Sequence, residues 1–161
     1  MKKNNSLIFP IFFLILISAC VGYEPIFKSS NVQFKISEYS IEGDKILGKK
    51  IYLKLSNLSK SQKNDPNSKP ISIIINTTKN KKEASKDSAG KILEYKITLN
   101  TKVEIKDYQT NSKILNQTFT SSIIYKMQDQ YSDSVKLENK SVNDLIEKTY
   151  QEIIVRISEN I

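Results

Sequence analysis

Few side chains in this 161-residue chain could carry covalent or acid–base chemistry. It has no histidine and a single cysteine, Cys20. A Ser/His/Asp triad, a histidine metal site and a histidine general base are therefore excluded. A lone cysteine cannot close a disulfide within the chain, so its sulfur is left for other chemistry, such as acylation. The four glycines form no phosphate-cradling loop, and no carboxylates fall at calcium-loop spacing. The nearest approach to an acid–base pair is Asp129 with Asp133, residue types that a glycoside hydrolase would use. They lie in a polar, turn-like stretch, where carboxylates are ordinarily just solvated charges. The expectation is a non-enzyme that needs neither cofactor nor metal.

The surroundings of Cys20 give the sulfur a more specific use. Residues 1–5 carry Lys2 and Lys3, residues 7–17 are apolar apart from Pro10, and Ser18 and Ala19 are small. That order is the layout of a secretory leader, and the apolar run is too short for a permanent membrane span. Ile17, Ser18, Ala19 and Cys20 resemble the lipobox of bacterial lipoproteins. The resemblance implies cleavage before Cys20 and a diacylglycerol on its sulfur. Each buried methylene contributes about 0.8 kcal/mol, and two or more acyl chains anchor stably. Val21 follows the cysteine. Retention at the inner membrane goes with an aspartate there in enterobacterial lipoproteins, so the resemblance favours the outer membrane, facing the periplasm. The expected organisation is a signal peptide over 1–19, a lipidated tether over 20–30 and one domain over 31–161.

The formal charge of +8 is weak evidence of an anionic partner. Nearly all the cations are lysine, Arg156 is the sole arginine, and asparagine and isoleucine are abundant. This is the drift of an AT-rich genome. Without arginines or interleaved aromatic platforms, and in an exported chain, nucleic acid is not an expected partner.

The elements read as follows. Val32, Phe34 and Ile36 alternate, and the phase then shifts to Tyr39 and Ile41, as in a strand with a bulge or a frayed end. Asp44 can cap a helix that aligns Leu47, Ile51, Leu55 and Leu58. Ile51, Leu53 and Leu55 also alternate and Gly48 weakens a helix interior, but the longer period favours helix. Residues 59–70 read as a loop, and Ile71, Ile73 and Ile75 as a short strand. Residues 77–90, with Lys79, Lys81, Lys82 and Lys86, read as a mobile loop or a frayed strand extension. From Leu93 to Lys106 apolar residues occupy odd positions and polar ones mostly even, which marks a strand with one wet face. Leu115, Phe119, Ile123 and Tyr125 resume the alternation after turn residues 107–112, predicting a long antiparallel hairpin with arms above roughly 40 Å. After a polar connection over 128–140, Ser141 with Asp144 fits a capping box that opens a final helix through Leu145, Ile146, Ile153 and Ile157. The fold class expected is α+β: a mixed four-stranded sheet with a long hairpin and two helices on one face, in the order β-α-β-β-β-α.

Cys20, Gly22, Tyr23, Pro25 and Phe27 together resemble the opening of the lipopolysaccharide-assembly lipoprotein LptE family. The Leu93, Glu94, Tyr95 entry into the hairpin and the Ile154, Val155, Arg156, Ile157 ending agree with it. The resemblance implies a non-enzymatic plug inside the lumen of an LptD-type outer-membrane β-barrel, helping to assemble it and to deliver lipopolysaccharide. In that setting the wet face with Glu94, Lys96, Lys102 and Lys106 would meet a water-lined lumen, though an ordinary solvated face has the same pattern. Lys91, Lys96 and Lys136 would then be candidates to meet lipopolysaccharide phosphates as point charges. This chain lacks the arginines common in that family. The alternative is a free-standing periplasmic lipoprotein that binds peptidoglycan or another envelope component.

Overall fold

A computed structural model describes residues 33–61 and 68–161. Cys20, the expected leader and the expected tether lie outside the described residues. The elements are β1 (Phe34–Gly43), α1 (Lys45–Ser61), β2 (Lys69–Lys86), β3 (Ile92–Asp107), β4 (Lys113–Lys126) and α2 (Tyr131–Asn160). The expected order is the observed one.

The strands lie in the order β1-β2-β3-β4. β1 pairs with β2 in parallel and the other two pairings are antiparallel. A parallel pair needs a crossover, and α1 supplies it. The shift of phase seen in the sequence is a β-bulge between Ile36 and Glu38. At the far end of β1, Gly43 adopts φ 66°, and a Cβ there would stand 2.3 Å from the Thr77 carbonyl oxygen. Only glycine fits that close approach. Asp44 then turns the chain: its N–H donates to that same carbonyl at 2.7 Å, and its Oδ1 accepts from Ile46 and Leu47 N–H groups at 3.1 Å each. It is the expected N-cap.

Ile71, Ile73 and Ile75 of β2 and Ile97, Leu99, Val103 and Ile105 of β3 are buried on one face of the sheet. Leu47, Ile51 and Leu55 of α1 and Leu145, Ile146, Ile153 and Ile157 of α2 close over them. Full burial of such a side chain stabilises by about 2 kcal/mol. Both helices therefore lie on the same face, as expected of their apolar stripes.

One expectation left two readings open and another needs correction. Over residues 77–86 the strand extension is the reading that holds, not the mobile loop: β2 runs to Lys86 and pairs with β3 as far as Ile92. At about 3.3 Å per residue the 18 residues of β2 span roughly 59 Å. This stretch was hard to recognise because its helix-facing positions, Thr77, Lys79 and Lys81, are polar. The last helix also begins at Tyr131, well before Ser141. Ser141 is buried in mid-helix and Asp144 is exposed, so they form no capping box. The real start lies at Gln130, where no side chain caps the helix, and the Ser134 hydroxyl instead accepts the Gln128 N–H at 2.8 Å. Ser134 and Ser141 are buried although polar, which an apolar periodicity cannot register.

Candidate functional surface

The side of the sheet opposite the helices is built by the same alternation. Where odd positions point into the core, even ones point away: Ser72 and Asn76 on β2, Thr98, Asn100, Lys102 and Glu104 on β3, Asn116, Thr118, Thr120 and Ser122 on β4. No described element covers this face. Its middle is a field of hydroxyls and amides, tied across strands by the Thr120 hydroxyl donating to Asn100 Oδ1 at 2.8 Å. Charges gather at its two ends, Lys82, Glu94, Lys96 and Lys126 toward the β2–β3 turn, and Lys102, Glu104 and Lys106 with Glu38 and Glu42 toward β1. There Glu38, Ser40, Ser72, Ile74, Glu104 and Lys106 line a depression of about 230 Å³. Lys106 pairs with Glu104 at 3.1 Å, and Asn76 donates to Glu42 at 3.0 Å. Ile124, 55% exposed, is the one large apolar side chain fully at the surface of this face among the described residues.

The three candidate lysines lie toward one end of the sheet but do not form one site. Lys91 follows Gly90 in the β2–β3 turn, where its N–H donates to Asp87 Oδ1 at 2.9 Å. Lys96 stands on the free face, in register with Lys82 and Ile124. Lys136 belongs to α2, on the other side of the sheet, and pairs with Asp133 at 3.0 Å. That pairing also accounts for Asp133, which sits in the first turn of α2, where a carboxylate favours the helix dipole. Asp129 is exposed in the short connection before α2.

Sequence reasoning missed a cluster on the helix side. Lys81 donates to Glu138 Oε2 at 2.6 Å, the Tyr125 hydroxyl donates to the same oxygen at 2.9 Å, and Lys79 lies 3.9 Å from Oε1. The Lys81 ammonium also sits 4.2 Å from the centroid of Tyr95 and 5.6 Å from that of Tyr125, and the two rings are stacked 6.0 Å apart. Burial lowers the Lys81 pKa, but the hydrogen bonds and charge of Glu138 and Tyr125 more than reverse this and raise it to about 12. Burial likewise pushes Glu138 up, while Lys81 and Tyr125 bring it below the ordinary carboxylate range. Cation, carboxylate and phenol are thus mutually satisfied. The cluster fastens the N-terminal half of α2 to the part of β2 that runs past β1. The available signal was Tyr95 and Tyr125 on the core side, aromatic surface that the aliphatic stems of nearby lysines could cover.

No family model matches the sequence, and no curated protein matches it. The fold does have counterparts among solved structures. The solution structure of lipoprotein B from Nitrosomonas europaea superposes with a TM-score of 0.61 at 16% identity, covering 85% of this chain and 90% of that one. A protein from Caulobacter crescentus CB15 described as a lipoprotein gives 0.56 at 11% identity, covering 81% and 92%. A minor lipoprotein from Acinetobacter baumannii gives 0.53 at 20% identity, covering 76% and 91%. At these identities the likeness establishes a shared fold, over nearly the whole of each neighbour.

Proposed function

We propose that this chain is a non-enzymatic outer-membrane lipoprotein, anchored through a lipid on Cys20, that plugs and helps assemble an LptD-type β-barrel for lipopolysaccharide transport. The observation that carries the reading is the polar sheet face that no described element covers, with hydroxyls and amides over its middle and charges toward its two ends. The wall of a water-filled barrel lumen is polar. Neutral hydroxyls and amides can exchange water for such a wall with little desolvation cost, whereas a densely charged face would lose more. A four-stranded sheet with a helix layer on its back also requires a barrel of many strands. The lipoprotein character of the three structural neighbours supports the anchor, as does the leader sequence. Lys96 would then meet the lumen wall from the sheet face and Lys136 from the helix layer, so any phosphate contacts they make are separate.

The test is a pull-down of the tagged mature chain after mild detergent extraction of the membrane. A co-purifying porin-type barrel is expected. Asn116→Lys combined with Ser122→Lys, both exposed on the free face, should sharply reduce that recovery with stability unchanged to about 0.5 kcal/mol. Recovery of a soluble monomer alone, or co-sedimentation with peptidoglycan instead of a barrel, would end the reading.

A further inference from the structure

α1 carries a second surface. Its 17 residues include five lysines, Lys45, Lys49, Lys50, Lys54 and Lys60, and no carboxylate. Over 30 residues α2 carries four cations and six carboxylates. Lysine enrichment through genome composition would load both helices, so the imbalance on α1 is local. Two large aliphatic side chains break its solvent side: Ile46 is 72% exposed and Leu53 46% exposed. Seven residues apart, they stand on one line along the helix, two turns from each other. Lys49 and Lys60 flank that line on one side and Lys50 and Asn57 on the other. Lys54 is held by Glu147 at 2.5 Å and Lys50 donates to Asn143 at 3.0 Å. Lys49 and Lys60 have no ion pair or side-chain hydrogen bond among the described residues.

We infer that this outer face of α1 lies on an anionic bilayer surface, with Ile46 and Leu53 entering the headgroup layer and Lys49 and Lys60 meeting lipid phosphates. A helix with exposed aliphatics among lysines binds an interface by buried apolar area together with attraction to anionic lipid. The position of α1 agrees. The Ile36 N–H donates to the Ser59 hydroxyl at 3.2 Å, so the start of β1 lies beside the last turns of α1. Cys20 precedes Phe34 by fourteen residues, a stretch that spans at most roughly 50 Å, so α1 is within reach of a membrane that holds the lipid. The inference rests on the lipid-anchor half of the proposed function and concerns the anchored chain before any barrel encloses its helix layer.

The test uses the mature, acylated chain in vesicles of phosphatidylcholine alone or mixed with phosphatidylglycerol. The sequence contains no tryptophan, so Leu53→Trp creates a single reporter, and Ser122→Trp places one on the free sheet face as a control. For the Leu53→Trp variant, indole emission should shift to shorter wavelength and be quenched by brominated acyl chains, only in the anionic vesicles. Lys49→Gln with Lys60→Gln should weaken that contact roughly 25-fold, and high salt should weaken it further. Vesicle flotation, read in parallel, reports the anchor by itself. Flotation without any change at position 53, equal changes in both lipids, or a change at position 122 instead would overturn the inference. Failure to float would remove the anchor, and the inference with it.

Discussion

Gly48 lies inside α1, where a glycine costs about 1 kcal/mol relative to alanine. Helix propensity alone therefore says that Gly48→Ala stabilises, and the backbone raises no objection, since the glycines with positive φ are Gly43 and Gly90. The packing says the opposite. A Cβ at Gly48 would stand 2.6 Å from Cγ2 of Ile41, where carbon atoms need about 3.5–4.0 Å. Ile41 is β-branched, so Cγ2 cannot swing away without forcing χ1 off its rotamer. The helix must move off the β1 edge by about 1 Å, and overpacking of this kind costs roughly 1–3 kcal/mol. Offsetting the propensity gain leaves a net loss of about 1 kcal/mol. Ile41→Ala removes the opposing methyl. By itself it is expected to cost about 1–2 kcal/mol, because Ile41 is only half-buried. In the double variant the clash is gone, so the pair should be more stable than the sum of the singles by about 1–2 kcal/mol. Urea unfolding of the four proteins at about 25 °C measures the cycle. If Gly48→Ala alone stabilises by about 1 kcal/mol and the cycle is additive, the close seating of α1 on β1 is wrong.

Two further outcomes follow from buried and half-buried polar groups. Glu138→Gln should lower stability at pH 7 by about 1 kcal/mol, a modest figure because solvent screens both partners. Glu138 titrates below its usual value. Its contribution is thus present above about pH 4.5 and lost as pH falls through the lower folded value. The contribution of Lys81 is complete below its ordinary 10.5 and lost only as pH rises through about 12. Urea midpoints of wild type and variant should therefore converge at strongly acid pH, and an undiminished gap there would contradict the assignment. Thr101 is fully buried opposite Thr77 and its hydroxyl has no partner among the described residues. Thr101→Val removes an unpaired polar group and should raise stability by about 1 kcal/mol. A lowered melting temperature would show that the hydroxyl is hydrogen-bonded, for example by buried water.

Some features were legible in order along the chain. The alternation from Leu93 to Lys106 and its return through Tyr125 marked β3 and β4, because a half-buried strand writes its two faces at a period of two. The change of phase after Ile36 announced the bulge, and Asp44 ahead of the Leu47, Ile51, Leu55 stripe announced the start of α1. In each case the residue's own neighbours carry the signal. The second half of β2 had no such signal. Lys79 and Lys81 face the helix side with no apolar identity, and they are strand residues because β3 offers its backbone and Glu138 its carboxylate. The start of α2 was obscured in a related way, since Ser134 and Ser141 are buried without apolar identity.

The candidate surface divides along the same line. Its composition, charges with hydroxyls and amides at even positions of β3 and β4, could be read from the residues alone. So could the leader pattern ending at Cys20. That no described element covers the face was decided only when both helices packed on the other side. The placement of Lys96 and Lys136 on opposite sides of the sheet, and the line of Ile46 and Leu53 left outside the core, were likewise decided there. Local pattern records whether a residue is buried, which depends on its own transfer free energy. It does not record against what, because that choice is made by pairing segments far apart in the chain.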